Sequence, residues 1–396
     1  MLLFSPLQLQ RRRSAGFSLV EIMVAMVIGL LSMIVIMQVF SLFEGKKRTT
    51  TSGNDALNNG VIALYELQRN TQHSGYGVSA YNLIGCNIQL RAAGPVILPA
   101  MAPVTINHAS IPAGDANTDT LLVVYGNAAG GAEGDGITAQ NFGAAPDVYT
   151  VQSPNSFHAL VAPQLADYVV AETKTRPAAA CSLPAVAFLP MTQVVSVGGG
   201  SINDITVTAG TGQAGMAPGA PNNGSLYNLG SVPIILAYAI RSSKLTVCKY
   251  VDIDPATGAD NGKNCGDATK TNDPTFWVPI ADNMVSMRAQ YGHDTLTTVP
   301  AAAGQTSYAV DTYDQTTPTT NCGWMRTTAV RIALVARNVV PDTSAASAAP
   351  TWAGGAINLT ATTVAPNFTW QNYRYKVFQT TVPIRNVAIQ GVQTGC

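Results

Sequence analysis

From Phe17 to Phe43 the chain runs for 27 residues with a single charged side chain, Glu21. As a helix that run is about 40 Å long, and a bilayer core needs roughly 20 apolar residues. The segment spans a membrane with length to spare. Glu21 is its anomaly. An ionised carboxylate in hydrocarbon costs several kcal/mol, and such residues are usually partnered and functional. Placed on a helix at about 100° per residue, Ser18, Glu21, Ala25, Gly29 and Ser32 share one narrow stripe. The other positions are Leu, Ile, Val, Met and Phe. The stripe is a small-and-polar face of the kind that lets helices approach closely in lipid, with Glu21 awaiting a positive partner. The competing reading puts Glu21 at headgroup depth and the small residues there by chance.

Upstream stand Arg11, Arg12 and Arg13, and then Gly16 directly before Phe17. A short basic leader ending in glycine, followed by Phe17-Ser18-Leu19-Val20-Glu21 and an apolar helix, resembles the prepilin signal of type IV pilins and type II secretion pseudopilins. The resemblance implies cleavage by a prepilin peptidase between Gly16 and Phe17, N-methylation of Phe17, and Glu21 as the fifth residue of the mature chain. It also gives Glu21 an assembly role, neutralising the N-terminal amine of a neighbouring subunit. A buried ion pair is tolerable where each lone charge is not, so such a pair serves register and recruitment more than stability.

Charge alone barely orients the span. Arg11 to Arg13 precede it, and Lys46, Lys47 and Arg48 follow it, so the positive-inside rule gives almost a tie. The leader and the cysteines break the tie towards an exported C-terminus. No small-x-small cleavage site follows the apolar run, which argues against an ordinary secretory signal. The expected location is the bacterial inner membrane as a single-pass protein with a periplasmic domain, and then the pilus or cell surface.

Only 11% of the 396 residues are charged, against about 25% in ordinary soluble proteins. Gly, Ala, Thr, Asn and Pro fill the gap, as suits an exported β-rich domain with long loops. The 22 basic residues balance the 22 acidic ones; losing Arg11, Arg12 and Arg13 with the leader leaves 19 against 22, a net −3. No nucleic-acid partner is implied. The six cysteines, Cys86, Cys181, Cys248, Cys265, Cys322 and Cys396, all follow the span, and none forms a C-x-x-C pair. Their even number beyond an export signal points to disulfides. Fifteen connectivities are open, Cys248–Cys265 and Cys322–Cys396 being candidates, and free buried thiols are the alternative.

In chain order, residues 1–16 read as a leader, 17–43 as the membrane and filament-core helix, 44–76 as a helix continuation and linker, and 77–396 as the exported domain. Gly45 and Gly53 bracket a polar stretch that could interrupt the helix. Beyond it, Leu57, Val61, Leu64 and Gln68 recur at spacing 4, 3, 4, extended by Ile62 and Leu67, and mark an amphipathic helix. Glycines in His73-Ser74-Gly75-Tyr76-Gly77 stop it. Strands are expected at 120–125, 168–170, 205–207, 232–240 and 244–250, the last two forming a hairpin through Arg241-Ser242-Ser243. Residues 128–136 and 208–223 read as Gly/Ala/Pro-rich surface insertions.

The last third carries a second resemblance. The blocks 279–292, 330–337 and 373–386, with Asp311 and Tyr313, are similar to the PilW-type minor pilins of type IV pili, and so is the early Ser74-Gly75-Tyr76 with Cys86. The fold implied is α+β and type IV pilin-like: a long N-terminal hydrophobic helix packed on an antiparallel β-sheet with long loops. In 330–337, Val330, Ile332, Leu334 and Ala336 should share one face. Tyr375, Val377 and Val382 are the apolar residues of the last strand and are expected to pack on the helix. Little in 90–230 can be matched.

Other sites are weak. Asp252, Asp254 and Asp260 cluster on one loop, and calcium takes oxygen ligands from such loops. Pro255 spoils the spacing and no closing Glu follows, so a solvated turn is favoured over calcium and no other cofactor is expected. Gly131 to Gly136 lacks the Lys-Ser/Thr of a phosphate loop. His73, His108, His158 and His293 are scattered, and no nucleophile motif is present, so no enzyme is expected. The resemblance implies a minor pilin acting in pilus assembly, at priming or at the tip. Its partners would be the prepilin peptidase, the major and other minor pilins, the inner-membrane assembly platform and the membrane. A type II secretion pseudopilin, or a tip adhesin or ligand-binding module, are the alternatives.

Overall fold

Helical backbone runs without a break from Leu19 to His73, through both Gly45 and Gly53, so the polar stretch between them does not interrupt the helix. The computed structural model describes residues 16–91, 96–128, 134–141, 147–161, 164–172, 189–208, 224–254, 260–295, 309–342 and 346–390. The chain divides into two units, Met1–Ser52 and Gly53–Cys396. The described part of the first is the apolar helix, whose most hydropathic window is nowhere buried.

In the second unit the helix ends where glycine was expected to stop it. Gly75 has φ +85°, a left-handed conformation that other residues adopt at a cost, and its N–H donates to the Val124 carbonyl at 2.9 Å. The buried helix positions are Ala56, Gly60, Ala63, Leu67, Asn70 and Thr71. This corrects part of the expected stripe: Leu67 is buried as expected and Leu64 packs, partly buried, on the same core, but Leu57, Val61 and Gln68 each stand one residue from a buried position. Leu57 and Val61 are 40% and 57% exposed. The sheets bring the large side chains to this contact, so the helix presents mostly small ones.

Two antiparallel sheets receive that face. One has the strand order Val278–Asp282, Lys244–Lys249, Ile234–Arg241, Leu121–Tyr125, Val104–Ile106; the other has Thr312–Asp314, Met284–His293, Thr327–Arg337, Tyr375–Pro383. Ala56, Ala63 and Leu67 share a core with Leu121, Val123, Tyr238 and Ile240 of the first and with Met287, Val330, Ile332 and Leu334 of the second. Leu122, Val124, Ala237 and Ala239 point the other way, into a second core with Ile88 and Leu98. Burial on both faces explains why Leu121–Tyr125 is apolar throughout instead of alternating. Ile88 and Leu98 belong to a three-stranded sheet, Val96–Met101, Cys86–Arg91, Leu189–Pro190.

The hairpin through Arg241-Ser242-Ser243 is present, with Arg241 opposite Lys244. Ser242 and Ser243 have φ +51° and +57°, the two-residue geometry that usually calls for Asn-Gly. The Asp115 carboxylate holds it, accepting from the Ser242 N–H at 2.9 Å and the Ser243 N–H at 2.8 Å. Asp119, which is buried, ties the sheets together. It accepts from Asn107, from the Ala289 N–H and from Gln315, and lies 3.3 Å from the Arg288 guanidinium.

The alternation within 330–337 is observed, but the last strand needs correction. Val330 pairs with Val382 and Leu334 with Phe378, so Val382 and Phe378 lie on the helix side. Tyr375 and Val377 differ from them in parity and face the opposite side, packing near Val335 and Ile357.

The largest departure from expectation is the middle of the chain. Tyr125 and Ile234 are register partners at one end of two neighbouring strands. Leu189–Pro190 apart, the described strands between them build a closed six-stranded barrel: Asp204–Val207, Asp147–Val151, Asp135–Asn141, Ser225–Gly230, Tyr168–Glu172, Thr192–Val197. It has its own core of Ile137, Tyr149, Val151, Phe157, Val169, Val194, Ile205 and Leu226. Its base is closed by the Asn127 N–H on the Leu229 carbonyl at 2.9 Å and the Val232 N–H on Asn127 Oδ1 at 3.0 Å. The outer sides of Tyr168, Val170, Tyr227 and Leu229 seat it on the second core.

Candidate functional site

Gly16, Phe17 and Ser18 lie in non-helical, exposed backbone immediately before the helix. The Ser18 carbonyl accepts the first helical bond, from the Ile22 N–H at 3.1 Å, which makes Ser18 the N-cap. Phe17 is 78% exposed. A peptidase needs backbone whose amide groups are not already tied into a helix ladder, and the Gly16–Phe17 bond meets that condition. The arginines of the leader lie outside the described residues.

Glu21 sits in the first turn of the helix, where a carboxylate meets the positive end of the helix dipole. Among the described residues it makes no ion pair. Ala25, Gly29 and Ser32 continue its stripe and are exposed. A Cβ placed on Gly29 would meet nothing within 4 Å. The Ser32 hydroxyl donates to the Ile28 carbonyl at 2.8 Å, so it is satisfied within the helix and can enter an apolar contact without an orphaned donor.

Gly60 and Asn70, neither singled out in the sequence, fix how the helix lies on the sheets. The Phe378 ring fills the space beside Gly60. The Asn70 side-chain amide is buried, donating to Tyr238 Oη at 2.7 Å and to Glu66 Oε1 at 2.8 Å, while its carbonyl accepts from the Tyr125 hydroxyl at 2.8 Å. Burial raises the Tyr238 hydroxyl well above its ordinary pKa, with the Glu66 charge adding to it. Tyr238 therefore stays a neutral partner. A signal was available at Asn70, a polar residue on the period of the packed face, but it shows only once that face is drawn through Ala56, Gly60, Ala63 and Leu67.

Cys248 and Cys265 form a disulfide. Cys86 and Cys322 are disulfide-bonded as well, and free cysteines are absent among the described residues. Cys181 and Cys396 lie outside the described residues, and so does the Cys322–Cys396 pairing. Asp260 pairs with the Arg91 guanidinium at 2.7 Å and accepts from the Gly262 N–H at 2.7 Å and the Asp252 N–H at 3.3 Å. Among the described residues no group of three or more His, Cys, Asp or Glu is placed to hold a metal. The Gly131–Gly136 stretch falls largely outside the described residues.

Comparison with known families gives two matches. Residues 11–37 match the prokaryotic N-terminal methylation motif. Residues 259–386 match the family described as type IV pilus-assembly protein W. No curated protein and no solved structure matches. The first match covers the Gly16–Phe17 bond, Glu21 and the small-residue stripe; the second covers all four strands of the sheet that carries Phe378. Residues 38–258, which include the barrel, fall in neither. The two matches are those of a PilW-type, prepilin-like protein. With one apolar N-terminal helix, the chain fits a single-pass, membrane-anchored pilin.

Proposed function

We propose that this PilW-type, prepilin-like chain is a minor pilin whose work is assembly, not catalysis. The observation that carries the reading is the exposed, non-helical Gly16–Phe17 bond with Glu21 one turn into the helix behind it. Prepilin peptidase removes residues 1–16, and Phe17 becomes the methylated N-terminus. The helix holds the protein in the inner membrane with the disulfide-bonded domain in the periplasm, an oxidising compartment. Glu21 then meets the N-terminal amine of an adjacent pilin, and the stripe of Ser18, Ala25, Gly29 and Ser32 lets the helices close on one another. The platform and the other minor pilins receive the complex, which primes or caps the filament.

The test is Glu21→Ala in the native host. Membrane insertion should be unchanged and surface pili should be lost or sharply reduced. A normal complement of pili contradicts the assembly role. Pili intact with protein secretion lost would move the chain to the type II secretion pseudopilins. A second reading, a ligand-binding module displayed at the pilus tip, is favoured by the barrel, which has a core of its own and lies outside both family matches.

A further inference from the structure

The barrel is seated on the domain by the strands Tyr168–Glu172 and Ser225–Gly230. On the opposite side of the barrel are Asp147–Val151 and Asp204–Val207, flanked by Asp135–Asn141 and Thr192–Val197. The outer face of these four strands holds a groove of about 650 Å³, a size typical of small-ligand sites.

Its lining is uncharged and rich in hydrogen-bonding groups, with one exception. Gln140, Asn141, Thr150, Ser196 and Thr206 supply amides and hydroxyls, and Asp204 is the one carboxylate. Val148 and Val195 add apolar surface, Val195 being 56% exposed. Asp204 is held in place: Oδ1 accepts from the Thr150 hydroxyl at 2.8 Å and Oδ2 from the Ser201 N–H at 2.7 Å. Each oxygen keeps acceptor capacity for a further donor. Gly200 lets the rim loop approach, since a Cβ there would stand 3.0 Å from Asp204 Oδ2.

Charge narrows the ligand. Between residues 126 and 233 there are six acidic residues and two basic ones, Lys174 and Arg176, and among the described residues no basic side chain lines the groove. Nucleic acid, anionic lipid and sulfated polysaccharide need cations, and the described lining holds none. A peptide adding as a strand needs an open sheet edge, but the strands here are paired around a closed barrel. What fits is a ligand with many hydroxyls, no charge and apolar C–H patches.

We propose that the outer groove of the barrel binds a neutral oligosaccharide, with Asp204 accepting from vicinal sugar hydroxyls and Val195 packing against a sugar face. The proposal goes beyond the pilin reading and rests on it only for display at the cell surface.

The test uses the full chain in a detergent without a sugar headgroup, applied to immobilised maltotetraose, cellotetraose, chitotetraose, lactose and heparin. Binding to at least one neutral sugar is expected, roughly tenfold weaker in Asp204→Ala, as for loss of a hydrogen bond to a charged group. Val195→Arg, at an exposed position, should weaken it similarly with an unchanged unfolding midpoint, which separates a blocked groove from a damaged fold. No binding to any neutral sugar, binding to heparin alone, or binding that both variants retain would overturn the proposal. N-terminal processing is read separately by mass, so failure here and failure of the pilin reading are distinguishable.

Discussion

Phe378 stands where a side chain on residue 60 would have to go: a Cβ built on Gly60 falls under 3.0 Å from three atoms of its ring. The contact joins the helix to the last strand of the PilW-matched sheet and holds the helix close to that sheet. Gly60→Ala improves helix propensity by up to about 1 kcal/mol, yet overpacking a close contact costs about 1–3 kcal/mol. Packing should win, and Gly60→Ala should lower the unfolding midpoint of the full chain in detergent. Phe378→Ala in the same chain should remove most of the penalty. Equal effects of Gly60→Ala with and without Phe378 would show that the two do not interact.

Asn70 is the polar counterpart of that contact. Its amide links Tyr238, Tyr125 and Glu66 at one node between helix and sheet. Asn70→Leu should destabilise by roughly 2–3 kcal/mol, because it leaves the deeply buried Tyr238 oxygen without its amide donor. Adding Tyr238→Phe should recover part of the loss, as both ends become apolar. Urea unfolding of the four chains of this cycle gives the coupling; a coupling near zero would remove the node from the account.

His108 gives the domain a pH dependence. Burial lowers its pKa from 6.5 to about 4, and its Nδ1 lies 2.7 Å from the Ser110 hydroxyl. The unfolded chain therefore takes up the proton first as pH falls. The contribution is complete above about pH 6.5, declines from there to about 4, and totals on the order of 3 kcal/mol. His108→Leu should flatten stability against pH across that window, whatever it does to stability at pH 7. An unchanged profile would show that His108 is solvated.

The disulfide between Cys248 and Cys265 closes a loop of 17 residues. Chain-entropy arguments give about 3 kcal/mol for a loop of that size. Replacing both cysteines with alanine should cost about that much in urea unfolding. A loss near zero would mean that the loop is already ordered by Arg91 and Asp260, which bridge the same region.

What could be read from the sequence divides by the kind of signal. The segment that matches the methylation motif was legible because Gly16, Phe17, Glu21 and the apolar run are contiguous in sequence. Leu121–Tyr125 and the 241–244 hairpin were legible from β-propensity and spacing. The packed face of the helix was not. Apolar periodicity marks Leu57 and Val61, whereas the contact is made by Ala56, Gly60 and Ala63, whose partners are distant in sequence. The barrel was missed for a related reason. Two of its strands show in the sequence, at 168–170 and 205–207, but strands of four to seven residues separated by Gly/Ala/Pro-rich stretches look like insertions. Only the pairing of Tyr125 with Ile234 shows that the segment leaves and rejoins the sheet at the same end of two neighbouring strands. The groove depends on side chains from four strands and has no sequence signature.

The most direct test of the account is the N-terminal mass of the protein extracted from membranes of cells with and without prepilin peptidase. The account requires a methylated Phe17 start in the first sample and an unprocessed leader in the second. A chain that keeps Met1 in both samples would contradict it, leaving a membrane-anchored exported domain whose function would have to be sought in the barrel.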